Sequence, residues 1–132
     1  GDLVIPNSVT RIGESAFSDC SGFTGSLTIG NSVTSIGNKA FYDCSGFTGD
    51  LIIPNTVTSI GDSAFSWCSG FTGDLIIPDS VTSIGNYAFL RCDNLEKIII
   101  QGKFEGEILG SPWGAYDATI EWQPSQRRGM IL

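Results

Sequence analysis

Residues 49–72 read GDLIIPNTVTSIGDSAFSWCSGFT, and this stretch recurs with modest changes along the chain. The segments Gly1–Thr24, Gly25–Thr48 and Gly73–Glu96 align with it without a gap. A period of about 20–50 residues is typical of solenoids, in which each unit buries its apolar face only by stacking on a neighbour. The repeat therefore predicts a single stacked domain in which equivalent side chains form continuous columns.

The alternation of apolar residues within this repeat predicts two extended segments. Asp50–Pro54 reads as a short β-strand closed by proline, which cannot continue a central ladder. Because successive side chains of a strand point to opposite faces, Leu51 and Ile53 are expected to point inward and Ile52 outward. Val57–Gly61 is expected to be a second extended segment on another side of the coil.

A short helix is the third element that the repeat predicts. Asp62–Ser69 has the length of one or two helical turns, and Asp62 is a residue type that caps helix N-termini. Glycine often ends a helix in the left-handed conformation, so Gly70 is expected there, as are its equivalents Gly22, Gly46 and Asn94. The predicted fold class is an α/β solenoid with one parallel strand, a second extended segment and a short helix per 24-residue coil.

The chain divides into a repeat region and a C-terminal cap. Residues 1–101 contain the four repeats and the strand of the next coil, and residues 102–132 have a different composition. Within the cap, Ala118–Trp122 predicts a final strand, and Gly110–Ala115 is expected to plug the open end of the core, as terminal units of solenoids do. Gln123–Leu132 has no periodicity and is expected to be a loose end.

Composition limits the classes of function. The net charge is −7, which disfavours binding to nucleic acid or to an anionic membrane surface, and the apolar runs are too short to insert into a bilayer. Without histidine, the commonest general base and metal ligand is missing. Glu105 and Glu107 could be read as a glycosidase pair, although two acids beside a glycine are more typical of a solvated strand edge. We expect no catalysis, no cofactor and no metal.

The cysteines occur once per repeat, at Cys20, Cys44, Cys68 and Cys92. A zinc site needs ligands that converge on one point, and the chain has no Cys-x-x-Cys pair. Neighbouring rungs of a solenoid lie about 4.7–4.9 Å apart, whereas a disulfide needs Cβ atoms about 3.8 Å apart. The spacing therefore favours a column of buried free thiols over disulfides or a metal site.

The repeated pattern Leu-x-Ile-Pro-x-Ser/Thr-Val-Thr-Ser-Ile-Gly-x-x-Ala-Phe-x-x-Cys resembles the BspA-type leucine-rich repeat of bacterial surface proteins. In the third unit the residues that carry it are Leu51, Ile53, Pro54, Val57, Ile60, Gly61, Ala64, Phe65 and Cys68. The resemblance implies a curved leucine-rich-repeat solenoid with parallel strands on one face, display at the cell surface or outside the cell, and roles in protein–protein interaction or host adhesion. Gly30 departs from the pattern by replacing the proline that ends the strand.

Two surfaces are candidate binding sites. The strand face is the column of outward strand positions, Val4, Thr28, Ile52, Ile76 and Ile99. An exposed apolar column of this length indicates a partner or a dimer contact, although β-branched residues also favour strands for their own reasons. The second surface is the predicted helix side, where the units differ most and carry interface-type residues, Tyr42, Trp67, Tyr87 and Arg91. Variation there is also expected from relaxed packing.

The sequence thus favours a non-catalytic extracellular module for protein–protein interaction or adhesion on a bacterial surface protein. Its expected partner is an unidentified protein or host surface component, and self-association is a further option. Two alternatives stay open: a structural spacer that binds nothing itself, and a fragment of a carbohydrate-acting enzyme.

Overall fold

The computed structural model describes residues 1–124, which form a parallel β-solenoid of about five turns. Short strands make up its regular secondary structure. In the described part of the chain they are β1 Leu3–Ile5, β2 Arg11–Ile12, β3 Leu27–Ile29, β4 Ser35–Ile36, β5 Ser59–Ile60, β6 Gly73–Ile77, β7 Ser83–Ile84, β8 Leu95–Gln101 and β9 Thr119–Gln123.

Parallel ladders run along two sides of the coil. On the first side β1 pairs with β3, and β6, β8 and β9 form a second sheet. On the other side β2, β4, β5 and β7 form one four-stranded sheet. The register is that of the repeat, since Leu3 pairs with Leu27 and Ile36 pairs with Ile60. Equivalent residues of successive coils are therefore nearest neighbours, as the 24-residue period predicts.

In the third repeat, the predicted strand shows the expected alternation of buried and exposed side chains, but it is not part of a regular β-ladder. Leu51 and Ile53 are buried and Ile52 is exposed, as expected from the sequence. However, residues 51–53 lie outside the named strands, and the bridge near them joins Gly49 to Phe71. Side-chain burial therefore fixes the orientation of this segment even where the backbone is not paired as a regular strand.

The predicted helix is wrong, because the described residues contain no helix. Ser63 and Trp67 have left-handed backbones, with φ of 54° and 65°, and a right-handed helix cannot pass through them. Alternate N–H groups leave the coil: that of Phe65 donates to the Ala88 oxygen at 2.8 Å, and that of Trp67 to the Leu90 oxygen at 2.7 Å. The N–H group between them closes a tight turn within the coil, since that of Ser66 donates to the Ser63 oxygen at 3.2 Å.

The left-handed conformation predicted at Gly70 is also wrong, because Gly70 is not among the residues with positive φ. Glycine is needed there for close approach, since a Cβ at Gly70 would lie 1.9 Å from the Phe47 carbonyl oxygen. A Cβ at Gly46 would likewise lie 2.1 Å from the Phe23 oxygen. At Gly22, in the first coil, a Cβ would have open space. Residue 70 is therefore small because two coils touch there.

The core consists of columns, of which two are phenylalanine rings. Neighbouring rings of the first column lie 5.2–5.8 Å apart between centroids and within 9° of parallel, and its members are Phe17, Phe41, Phe65 and Phe89. A second column, with centroids 5.5 and 6.0 Å apart, contains Phe23, Phe47 and Phe71. The end residues Phe17 and Phe23 are half-buried, whereas their counterparts in the next coils are fully buried.

The C-terminal segment adds a final strand and a tryptophan at the end of the core. β9 pairs in parallel with β8 and begins one residue later than the predicted strand. Trp113 is buried, accepts a backbone hydrogen bond from Phe89 at 3.0 Å, and lies 6.1 Å from Trp122 between ring centroids. Of the predicted loose end, Gln123 belongs to β9, and residues 125–132 lie outside the described residues.

Candidate binding faces

The strand face is built by the parallel ladders of the first side. Val4 pairs with Thr28, and Ile76 pairs with Ile99. The exposed fraction is 63% at Val4, 68% at Ile52 and 46% at Ile76, while Ile99 is half-buried. Pairing joins Val4 to Thr28 and Ile76 to Ile99, beside which Glu121 continues the ladder. Ile52 holds the equivalent position of the third coil, between these two pairs, but lies outside the named strands. The column is apolar at four of its five positions, with Thr28 as the exception.

Carboxylates line one edge of the strand face. Asp2, Asp50 and Asp74 are exposed and lie two residues before Val4, Ile52 and Ile76, so their side chains share that face. The Asp2 carboxylate also accepts the Ser26 N–H at 2.8 Å. At the C-terminal end the charge is balanced, because Lys97 lies 3.9 Å from Glu121. The strand face is thus an apolar stripe beside a negative edge.

The residues predicted on the helix side lie on turns and do not form one cluster. The guanidinium carbon of Arg91 lies 5.0 Å from the ring centroid of Trp67, within range of a cation–π contact. Tyr42 instead has the Lys39 ammonium 5.5 Å from its ring. Tyr87 lines a cavity at the C-terminal cap. We refer to this side of the coil as the turn side.

A shallow groove of about 500 Å³, which the sequence did not indicate, runs beside the four-stranded sheet. Its lining repeats from coil to coil, with the serines Ser35, Ser59 and Ser83 and the glycines Gly37, Gly61 and Gly85. Its acidic residues are Glu14 and Asp62. The Asp62 carboxylate is already engaged, because it accepts the Asn86 N–H at 2.9 Å. This carboxylate therefore joins the third coil to the fourth.

The columns, the parallel register and the repeated motif agree with a known family. Residues 1–107 match the model of the BspA type leucine rich repeat region, in six copies. This chain belongs to the BspA-type leucine-rich repeat family. A search of curated protein sequences gives no significant match.

Solved bacterial leucine-rich repeat structures have the same fold as this BspA-type chain. A leucine-rich repeat protein of T. pallidum is 26% identical, with a TM-score of 0.72, over 94% of this chain and 56% of that one. A leucine rich cell surface protein of Faecalibacterium prausnitzii is 25% identical, with a TM-score of 0.66, over 94% and 39%. A leucine-rich repeat protein of Bacteroides ovatus is 24% identical, with a TM-score of 0.71, and the match covers 90% of this chain and 30% of that one. The chain thus spans between 30% and 56% of the length of these proteins.

The cysteines of this BspA-type solenoid stack as free thiols, and three of the four are buried. Each buried thiol donates to the carbonyl of a phenylalanine in the preceding coil, as Cys44 does to Phe17 at 3.0 Å and Cys92 to Phe65 at 3.0 Å. Burial raises the pKa of Cys44 to about 11 and that of Cys92 to about 12, and it also raises the pKa of Cys68. Since thiolates are the reactive form, these side chains are inert packing groups near neutral pH.

The BspA-type family and fold are generally those of non-enzymatic repeat scaffolds. Among residues 1–124 no three histidine, cysteine or acidic side chains come together as a metal site would require. Glu107 interacts locally, because it accepts the Phe104 N–H at 3.4 Å. Within the same range, the structure contains no helix whose length and hydropathy would let it cross a bilayer. The BspA-type fold here has parallel β-ladders on two sides of the coil.

Proposed function

We propose that this chain is a non-catalytic binding module of a bacterial surface protein and that it recognises a protein partner through the strand face. The observation that carries the proposal is the exposure of three large apolar side chains, Val4, Ile52 and Ile76, in one column. Contiguous exposed apolar surface is costly to keep in water and is typical of interaction sites. The proposed location at the cell surface is supported by the family and by the description of the F. prausnitzii neighbour.

The scaffold suits this role because it holds the strand face in place before binding. Four of the five outward residues are flanked by two buried neighbours, as Ile76 is by Leu75 and Ile77. Val4 lies between the half-buried Leu3 and the buried Ile5. Little conformational entropy is then lost when a partner docks, which improves affinity for a given contact area. The carboxylates of Asp2, Asp50 and Asp74 favour a partner segment that combines apolar side chains with lysine or arginine.

A peptide-display selection against the full chain tests this function. Selected peptides are expected to combine apolar and basic residues, and they should lose binding to a variant carrying Ile52→Glu and Ile76→Glu. The matched control carries Asn38→Asp and Asn86→Asp, which changes the net charge equally. It is expected to fold, since Asp62 occupies the equivalent position of the third coil.

Two results would contradict the proposal. If the selected peptides bind the folded strand-face variant as well as the wild type, the binding site lies outside the strand face. A selection that enriches no peptide above background would favour the spacer role, in which these coils hold other domains apart.

A further inference from the structure

A second concave site lies where the last repeat meets the C-terminal cap. It is a cavity of about 370 Å³, within the range of small-molecule pockets, and eight residues line it: Asn86, Tyr87, Gly110, Ser111, Pro112, Trp113, Gly114 and Tyr116. None of these residues belongs to the strand face. The site is therefore independent of the protein-binding function proposed above.

The lining of this cavity is polar and aromatic but carries no charge. In a chain with a net charge of −7, eight lining residues without an acid or a base set the cavity apart from the acidic repeat surface. Tyr87 is 52% exposed and Tyr116 is 70% exposed, so both rings are accessible to a ligand. A metal ion or a charged ligand would find no countercharge among these residues, whereas a neutral ligand would need none.

The side chain of Asn86 is available for a ligand. In the two preceding coils the equivalent side chains are used between coils: Asn38 accepts the N–H of residue 62, and Asp62 accepts the N–H of residue 86. Among the described residues, the Asn86 carboxamide makes no such hydrogen bond, because the cap replaces the next coil. An amide can both donate and accept, so it matches the hydroxyl groups of a ligand.

Tyr87 occupies a backbone position that bulky residues rarely take. Its φ is 58°, and the equivalent residues Ser15, Lys39 and Ser63 have φ between 54° and 55°. Two of these three are serine, and a large aromatic residue with positive φ is uncommon. At this position of the repeat, the coil that lines the cavity has an aromatic residue, Tyr87, whereas the other three coils have serine or lysine.

The remaining walls are fixed by the core. Trp113 is 1% exposed, and its indole N–H donates to the Leu109 oxygen at 2.8 Å. Gly114 lies against the fourth coil, where a Cβ would be 2.9 Å from Leu90. Because packing holds these groups in place, the cavity is formed before a ligand arrives.

We propose that this cavity binds a neutral sugar, a pyranose unit of a glycan. A pyranose has a C–H face that can lie on a tyrosine ring, where the positive edges of its C–H bonds meet the negative face of the ring. Its hydroxyl groups can both donate to and accept from the Asn86 carboxamide. Tyr87 and Tyr116 supply the aromatic surface, and the cap residues supply the wall.

An NMR titration of the full chain with neutral methyl glycosides tests the site. The glucoside, galactoside, mannoside and N-acetylglucosaminide are each added while the amide resonances are followed. One of them is expected to shift the signals of Asn86, Gly110, Ser111 and Gly114 with a Kd of about 1 mM, which is the range for a ligand of this size.

Three variants separate the site from the rest of the fold. Tyr87→Ser restores the residue of the first and third coils and should weaken binding by about tenfold. Tyr116→Ala should weaken it similarly, because that ring is exposed. Lys39→Ser, which places the same residue at the equivalent position of the second coil, should leave binding unchanged. The proposal is overturned if no glycoside shifts the cavity signals, if both cavity variants bind as the wild type does, or if only a sialylated or sulfated glycan binds.

Discussion

The ring of Phe41 lies parallel to the ring of Phe65, with centroids 5.2 Å apart and an angle of 8° between the planes. The two residues are 24 apart, and the same relation joins Phe17 to Phe41 and Phe65 to Phe89. Phe41 stacks face to face on rings of both neighbouring coils, and it meets Phe47 of its own coil edge-on, with centroids 6.4 Å apart. The stability of the solenoid therefore comes largely from the contacts between adjacent coils. Its surface positions repeat from coil to coil in the same way as the core positions.

Gly70→Ala is expected to destabilise the fold although it adds a single methyl group. The new Cβ would lie 1.9 Å from the Phe47 carbonyl oxygen, and the N–H of the same peptide group, at Thr48, donates to the Gly25 oxygen, one turn of the solenoid earlier, at 3.0 Å. Overpacking of this kind costs about 1–3 kcal/mol of the free energy of unfolding, measurable by urea denaturation. The control is Gly22→Ala, where a Cβ has open space and no loss is expected. Equal losses for both variants would show that the coils do not approach as described.

Alkaline pH should destabilise the protein through its buried thiols. Burial raises the pKa of Cys44 from 9.0 to about 11 and that of Cys92 to about 12. The unfolded chain therefore releases these protons first, so their contribution to stability is complete below pH 9 and is lost as pH rises from 9 to about 12. Urea unfolding at several pH values measures the effect. The slope should be smaller in Cys44→Ala, and an unchanged slope would mean that this thiol is not buried.

An added N-terminal coil should stabilise the chain by covering the first rung. Phe17, Phe23 and Cys20 are half-buried, while their counterparts in the next coils are buried. Placing a second copy of residues 25–48 before Gly1 would stack new rings on Phe17 and Phe23. The free energy of unfolding is expected to rise by about 1–4 kcal/mol. The control copy carries serine in place of its two phenylalanines. A gain just as large with that copy would argue against core stacking as the cause.

Much of the fold could be predicted from the period alone. The outward direction of Ile52 and the burial of Leu51 and Ile53 followed from strand alternation, and both are confirmed. The Phe41 and Phe65 rings align because a fixed period places equivalent residues one above the other. These features depend on spacing, which a single sequence displays directly.

The predictions that are wrong concern which carbonyl groups accept the backbone hydrogen bonds. The segment Asp62–Ser69 looks helical because its apolar residues lie about four apart, but its alternate N–H groups bond to the next coil. Nothing in the local pattern distinguishes the two cases. The prediction of a left-handed conformation at Gly70 is wrong for a related reason. Glycine is required both where φ is positive and where two backbones approach closely, and the sequence does not distinguish the two. The cavity beside Tyr87 was missed because it forms only when the cap packs on the fourth coil.

A double-mutant cycle between Phe41 and Phe65 tests the stacking of coils most directly. The cycle compares Phe41→Leu, Phe65→Leu and the double variant by urea unfolding, and the same is done for Phe41 with Phe89. The account predicts a coupling energy of about 0.5–1.5 kcal/mol for Phe41 and Phe65. For Phe41 and Phe89, two coils apart, it predicts additivity within about 0.5 kcal/mol. Additivity for both pairs would contradict the columns on which the fold and its binding faces depend.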